Sequence, residues 1–420
     1  MKAFIIVVSL VILLLISASI YADITPEIYT WKQNLNGATG YNNLPADVQQ
    51  VFFSANYAYI KASGIPSYTI GPWNMNPNVP TNQSWGFKIA RFPVPAVTFT
   101  AVGNGQVGVL KNGVAIFNYS DAMSYNNQNI WHRVAQYFEA VSFDSSGGHP
   151  APGGAYHYHI NMSKLYTPNA TQHSPIIGYF FDGYPLYGPF AYANANGTGG
   201  ITRMRSGYVK RNITSRTTLP DGTILSPSQY GPDVSSTYPL GCFQEDYQVA
   251  SSNFDLDVHN GRFAVTPEYP AGTYAYYVTI DALGNPIYPY FIGPTYYGVV
   301  VAGNTGGPGS GHITISEPVT QYVATGIGNL NTPVGFDLYQ NYPNPFNPET
   351  NIKFEIDKSG LTSLKVYDSS GKEIASLINE NLSAGNYSVK FNAAAYSSGV
   401  YYYSLVSNNT KITKKMLLVK

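Results

Sequence analysis

One cysteine, Cys242, occurs in the 420-residue sequence, so no disulfide can form within the chain and the core must hold by burial and backbone pairing. Charged residues make up only 11% and the formal net charge is zero. The basic face that nucleic-acid binding needs is missing, and so is the high charge of a disordered tail. Long apolar runs are missing too, except for one from Phe4 to Ile16. That run is too short to span a bilayer but has the length of a secretory h-region, with Lys2 before it and Ser17, Ser19 and Ala22 after it. A signal peptide over residues 1–22 is expected, cleaved after Ala22 with Ser19 as the alternative, leaving no transmembrane segment. No cysteine follows the run, so no lipoprotein anchor is expected. The Gly-x-Ser-x-Gly elbow, the phosphate loop and His-Glu-x-x-His are absent, which removes the common hydrolase and nucleotide-binding signatures.

Aromatics, by contrast, reach 15%, with 37 Tyr, and there are 40 Gly and 29 Pro. Tyr suits strands and Gly suits tight turns, so the composition predicts an all-β chain rich in hairpins. A chain this long allows two folded units beside the processed segment. One short helix is expected near Trp131 to Glu139, where Trp131, Ala135 and Phe138 fall on one face. Composition changes near residue 330: all seven arginines lie before it, and residues 336–420 carry nine lysines with no arginine or histidine. A polar stretch over 324–335 reads as a linker between a β domain at 23–323 and a tail at 336–420. The tail reads as strands at Ile352–Ile356, Leu361–Tyr367, Glu373–Leu377, Gly385–Phe391, Gly399–Val406 and Lys411–Val419, a spacing that predicts a small Ig-like β-sandwich.

The tail also carries Asn341-Tyr-Pro-Asn-Pro-Phe-Asn-Pro348, Val366-Tyr-Asp-Ser-Ser-Gly-Lys372, Gly385-Asn-Tyr387, Ser398-Gly-Val-Tyr-Tyr402 and Lys414-Lys-Met416, in that order. This series resembles the type IX secretion sorting domain of Bacteroidetes-type bacteria. The resemblance implies recognition by the type IX machinery, passage across the outer membrane of a Gram-negative cell, and a secreted or cell-surface location. It also implies that the tail is removed after export.

The β domain contains a diverged internal repeat. Val107-Gly-Val-Leu-Lys-Asn-Gly-Val-Ala-Ile-Phe117 aligns with Ile177-Gly-Tyr-Phe-Phe-Asp-Gly-Tyr-Pro-Leu-Tyr187, each an apolar strand, an Asn-Gly or Asp-Gly turn and a second apolar strand. Downstream, Phe143-Asp144 to Gly148 and Gly154-Ala-Tyr-His-Tyr-His159 align with Leu256-Asp257 to Gly261 and Gly272-Thr-Tyr-Ala-Tyr-Tyr277. The pattern predicts a pseudo-duplicated domain whose second copy is enlarged by residues 190–250. Tyr156-His-Tyr-His159, with Gly71-Pro-Trp73, Trp131-His132, Gly148-His-Pro150, Asp182 to Pro189, Asp257 to Gly261 and Tyr288-Pro-Tyr290, resembles the YHYH family over about residues 50–320. That resemblance implies a secreted β domain and brings no assigned reaction.

The chemistry must therefore come from the residues. In a strand, alternate side chains share a face, so His157 and His159 project together and Tyr156 and Tyr158 project to the other side. Two imidazoles at this spacing can reach one ion, and imidazole suits Zn, Cu, Fe or Ni. The Gly-rich stretch 145–154 carries His149 and follows Asp144, and could fold both back over the strand. The second repeat keeps Asp257 but has Arg262, Ala275 and Tyr277 where the first has His149, His157 and His159. The expected reading is a metal-binding β protein holding a transition ion such as Zn, Cu or Fe at His149, His157, His159 and Asp144, with any reaction left open. His173 and His259 are weaker candidates, as is Glu139 as an outer partner or general base. Asp182 reads as a turn residue, Glu245 and Asp246 as solvated, and Cys242 as a space-filler. The alternative is a non-catalytic surface or matrix module that binds glycan or polymer through its tyrosines, for example a cell-surface polysaccharide.

Overall fold

Short β-branched and aromatic runs punctuated by Gly, Asn and Asp dictate short strands and tight turns, and the computed structural model shows them. It describes residues 24–161, 164–306, 309–324, 336–356, 360–382, 385–408 and 410–420. The expected signal peptide and nearly all of the expected linker lie outside the described residues. The chain divides into two compact units between Ala324 and Thr325. Among the described residues no helix is long and apolar enough to cross a membrane.

The first unit begins with β1 (Val48–Phe53), β2 (Tyr57–Ala62) and β3 (Trp85–Ala90). Next come the hairpin β4 (Gln106–Leu110) and β5 (Ala115–Phe117), the ribbon β6 (Ser120–Ser124) and β7 (His132–Val134), and the pair β8 (Gly148–Pro150) and β9 (Tyr156–Tyr158). A second hairpin, β10 (Ile176–Phe180) and β11 (Pro185–Tyr187), precedes the ribbons β12 (Phe190–Tyr192) with β13 (Ile201–Arg203) and β14 (Tyr208–Lys210) with β15 (Tyr247–Val249). The pair β16 (Gly261–Ala264) and β17 (Thr273–Tyr277) and the edge strand β18 (Thr320–Tyr322) complete it. Among the described residues α-helix is confined to single turns, α1 (Pro26–Tyr29) and α2 (Ala135–Phe138), beside short 3₁₀ turns.

The repeat is visible in the sheet. The eight-stranded order is β16-β17-β11-β10-β4-β5-β9-β8, which reads the same outward from its centre in either direction. At that centre β4 pairs with β10 with Val109 opposite Tyr179, residues that correspond in the aligned repeats, so the pseudo-twofold axis passes between them. Outward, β5 pairs in parallel with β9 through Ile116 and Tyr158, as β11 does with β17 through Leu186 and Tyr276. His149 stands opposite His157, as Arg262 stands opposite Ala275. The Tyr156 hydroxyl donates to Asp144 at 2.9 Å, as Tyr274 does to Asp257 at 2.9 Å. Small residues are needed where these tyrosines cross: a Cβ on Gly148 would lie 2.6 Å from the Tyr156 oxygen, and Gly261 meets Tyr274 in the same way. A second sheet, β18-β1-β2-β3, packs its Val48, Ile60, Phe87 and Ile89 against Val109, Tyr179 and Tyr187 of the first.

Two sequence expectations change here. The helix expected near Trp131 to Glu139 is present but shorter: Ala135 to Phe138 form one helical turn, while His132 to Val134 pair with β6. Pairing with β6 and the Val134 amide bond to the Cys242 carbonyl satisfy backbone groups that a helix would have satisfied internally. Asp246 is fully buried rather than solvated, in a bidentate pair with the equally buried Arg216 at 2.7 Å. Glu245, half-buried, is bonded to His132 Nδ1 at 2.6 Å. Cys242 is buried, consistent with filling space.

Among the described residues the second unit is a sandwich of seven strands: β19 (Asp337–Leu338), β20 (Glu349–Ile356), β21 (Gly360–Tyr367), β22 (Glu373–Leu382), β23 (Gly385–Asn392), β24 (Gly399–Ser407) and β25 (Thr410–Leu418). They form the sheets β19-β20-β23 and β22-β21-β24-β25. Alternation along β20 turns Ile352, Phe354 and Ile356 inward, where they meet Leu364, Val366, Tyr403 and Leu405 of the other sheet. Six of these strands were legible from the sequence; β19 was missed because two residues carry no periodicity.

Candidate metal centre

The register of β8 and β9 assembles the histidines. His149 lies directly across from His157, so both side chains leave the same face of the sheet. His159, two residues beyond His157, leaves that face as well. All three are buried, at 6%, 2% and 3% exposure, and their donor atoms form a set lying within 4.8 Å of one another. Nε2 of His157 is 3.1 Å from Nε2 of His149 and 2.9 Å from Nε2 of His159.

The hydrogen bonds on the outer ring nitrogens determine what those inner nitrogens carry. His157 Nδ1 faces the Ala155 carbonyl at 3.0 Å and His159 Nδ1 faces the Asn118 carbonyl at 2.5 Å. A carbonyl only accepts, so both Nδ1 atoms bear the proton. His149 Nδ1 lies 2.7 Å from Ser142 Oγ, whose own proton goes to the Glu139 carbonyl at 2.7 Å, so Ser142 accepts and His149 donates. Each Nε2 is therefore a bare lone pair, and three of them converge. Protonation does not relieve this: burial holds His149 down to about 4 and His159 down to about 3, and burial with the neighbouring imidazoles holds His157 well below its usual value. The Phe117 ring stacks on His157 at 3.8 Å and fixes its plane.

Glu139, just past the end of α2, reaches the same place. Its Oε2 lies 3.3 Å from His159 Nε2 and 3.8 Å from His149 Nε2, and that oxygen is buried with no hydrogen-bond partner. With the imidazoles neutral these contacts are not ion pairs. Burial first, then the Asp121 carboxylate, pushes the Glu139 carboxyl up to about 7. The histidines and Glu139 open onto a cleft of about 530 Å³, whose wall includes Asn76, Asn78, Phe117, Asp121 and Phe138.

The remaining sequence candidates lie elsewhere. Asp144 is on the tyrosine side of β9, where it accepts from Gly71 N at 2.7 Å, Ser146 N at 2.8 Å, Gly148 N at 3.3 Å and the Tyr156 hydroxyl. With those donors filled, it anchors the turn into β8. His173 Nδ1 donates to the Ser174 carbonyl at 2.8 Å, and the ring packs among Tyr187, Tyr192 and Tyr277, the last being the residue that replaces His159 in the second repeat. His259 sits against the Phe99 ring at 4.3 Å and bonds the Thr295 carbonyl. Asp182 does serve its turn, accepting from Tyr184 N, and also holds the Tyr276 hydroxyl at 2.6 Å. Ser142, Phe117 and the Asn118 and Ala155 carbonyls were not foreseen. Two of these act through backbone oxygen, which leaves no trace in residue type.

The molecule is thus an all-β protein with a buried three-imidazole centre at a cleft, followed by a separate small sandwich. Residues 86–289 match the family described as "YHYH protein", and residues 340–420 match that described as "Secretion system C-terminal sorting domain". The chain thus carries a YHYH region and a type IX sorting domain, and its location is secreted or cell-surface in a Bacteroidetes-type bacterium. A solved structure of PorZ, an essential bacterial surface component of the type-IX secretion system of Porphyromonas gingivalis, aligns at 13% identity with a TM-score of 0.16, too low to support any argument. That alignment covers 92% of this chain and 47% of PorZ, so the chain spans about half the length of that protein. No curated protein matches the chain.

Proposed function

We propose that the exported YHYH domain binds one transition-metal ion through Nε2 of His149, His157 and His159. The observation that carries this is the convergence of three unprotonated Nε2 atoms whose Nδ1 protons are all committed outward. Lone pairs about 3 Å apart repel unless a cation lies among them, and three neutral imidazoles suit Zn, Cu or Fe. Outward Nδ1–H bonds to carbonyl or hydroxyl are the partners that metal-bound histidines use to hold tautomer and orientation. Protein purified without chelator should carry close to one equivalent of metal by elemental mass spectrometry. Metal-free protein that takes up none of these ions in calorimetry ends the reading.

Ser142 tests the orienting bonds separately. Ser142→Ala removes the acceptor of His149 Nδ1–H without touching a donor atom. Affinity should fall about 10- to 100-fold while stoichiometry stays near one. Unchanged affinity would mean that the His149 tautomer is fixed by something else.

We also propose that the mature protein lacks residues 1–22 and, after export, the tail from about residue 336. The support is the h-region ahead of Ala22 and the sorting domain. Intact-mass measurement on surface and supernatant fractions should find neither segment; a species ending at Lys420 outside the cell counts against tail removal.

A further inference from the structure

The two lobes act as a comparison built into one chain. Both keep the Asp–Tyr–Tyr arrangement, Asp144 with Tyr156 and Tyr158 and Asp257 with Tyr274 and Tyr276, so that arrangement belongs to the fold. The first lobe alone has the histidines, and beside them one acidic group, Glu139, that no hydrogen bond accounts for. Its oxygen is close to two of the three Nε2 atoms yet outside the set whose donors all lie within 4.8 Å of one another. Ligands held at about 2.0–2.2 Å from one ion are at most about 4.4 Å apart; Glu139 meets that limit to His149 and His159 but is not a member of the three-histidine set, a place beside the triad. It stands on the cleft side, where an ion with three protein ligands keeps its open position.

Resting on the metal reading above, we propose that Glu139 is the proton acceptor for a water on that ion, and that the centre hydrolyses uncharged carbonyl compounds such as esters or amides. The same serine places both parts: Ser142 Oγ donates to the Glu139 carbonyl and accepts from His149 Nδ1. Apart from Glu139, the one carboxylate on the wall of the cleft, Asp121, is already paired with Arg133 at 2.7 Å. Neutral amides and rings, Asn76, Asn78, Asn104, Phe117 and Phe138, suit a neutral polar substrate. In the reaction a water O–H bond breaks and its proton passes to Glu139 Oε2. The oxygen bonds to the carbonyl carbon, the bond from that carbon to the leaving group breaks, and the leaving group takes the proton back from Glu139. Metal-bound water and a positioned carboxylate supply what the absent serine-nucleophile signature would otherwise provide.

The zinc-loaded full chain should be assayed with 4-nitrophenyl acetate, a neutral activated ester, alongside zinc stoichiometry and affinity. Wild type should turn it over faster than a His157→Ala/His159→Tyr variant. Glu139→Gln should keep zinc within about 3-fold in affinity yet lose about 10²- to 10⁴-fold in kcat/KM, the usual contribution of a positioned base. Loss of zinc from Glu139→Gln would make Glu139 a ligand and overturn the proposal. So would unchanged turnover in that variant, or a wild type that holds zinc and turns over no faster than the histidine variant. A wild type that binds no zinc, copper or iron fails at the earlier step and removes the metal reading itself.

Discussion

Replacing His157 with Ala and His159 with Tyr is expected to weaken metal binding by more than about 10³-fold while leaving the sheet folded, because two of the three donors disappear. The second lobe already shows the outcome for the fold: Ala275 and Tyr277 occupy the equivalent places, with Arg262 opposite Ala275 as His149 is opposite His157. Far-ultraviolet circular dichroism of the metal-free variant should therefore match metal-free wild type. The pH dependence sharpens the distinction. The folded imidazoles are held below the unfolded value of about 6.5, so between that value and the depressed ones the unfolded chain binds more protons than the folded one. Metal-free wild type should accordingly be most stable above about pH 6.5 and lose stability as pH falls toward 4, and the double variant should lose less. Metal should stay bound somewhat below pH 6.5, since protons compete poorly for these nitrogens. A double variant that is unfolded at neutral pH without metal, while metal-free wild type is folded, would make the histidines structural.

How far the sequence could be read varies with how local each cause is. The His157/His159 pair follows from strand alternation alone, and the repeat from two Asn-Gly or Asp-Gly hairpins, both short-range effects. That Asp144, expected among the ligands, lies on the tyrosine face has a reason that the repeat itself contained. The second copy keeps Asp257 where it lacks all three histidines, which marks the aspartate as a property of the fold. Asp144 also neighbours Tyr156, which faces away from the metal side. Glu139 reaches the histidines because the 139–142 turn lies against β8, with Ser142 Oγ 2.7 Å from His149 Nδ1, a tertiary fact with no signature in spacing. The run around Trp131 has helical spacing, and pairing with β6 overrode it only at His132 to Val134, leaving the helical turn Ala135 to Phe138. Asp246 looked solvated because Gln244 and Glu245 precede it, and its partner Arg216 lies thirty residues away.

That buried pair gives the largest stability effect expected in the enlarged part of the second repeat. Arg216 and Asp246 are both fully buried, and Asp246 also accepts from Gly241 N at 2.8 Å and Phe243 N at 3.3 Å. Arg216 donates further to the Pro232 carbonyl at 2.6 Å and the Pro239 carbonyl at 3.2 Å, and its guanidinium lies over the Phe243 ring at 4.9 Å. The pair thus ties residues 216–246 together around Trp131, Leu225, Cys242 and Phe243. Asp246→Ala would leave a buried guanidinium without its counter-charge, a change that costs about 3–5 kcal/mol. If this part opens independently, its opening equilibrium should rise by roughly 10²- to 5 × 10³-fold, seen as faster proteolytic cleavage between residues 205 and 249. The loosening should reach the candidate site, because the Val134 amide bonds the Cys242 carbonyl and Glu139 follows Val134 through α2 alone. Arg216→Met with Asp246→Leu should restore much of the resistance, since an apolar pair removes both uncompensated charges. Equal cleavage rates for Asp246→Ala and wild type would show that the pair holds nothing in place.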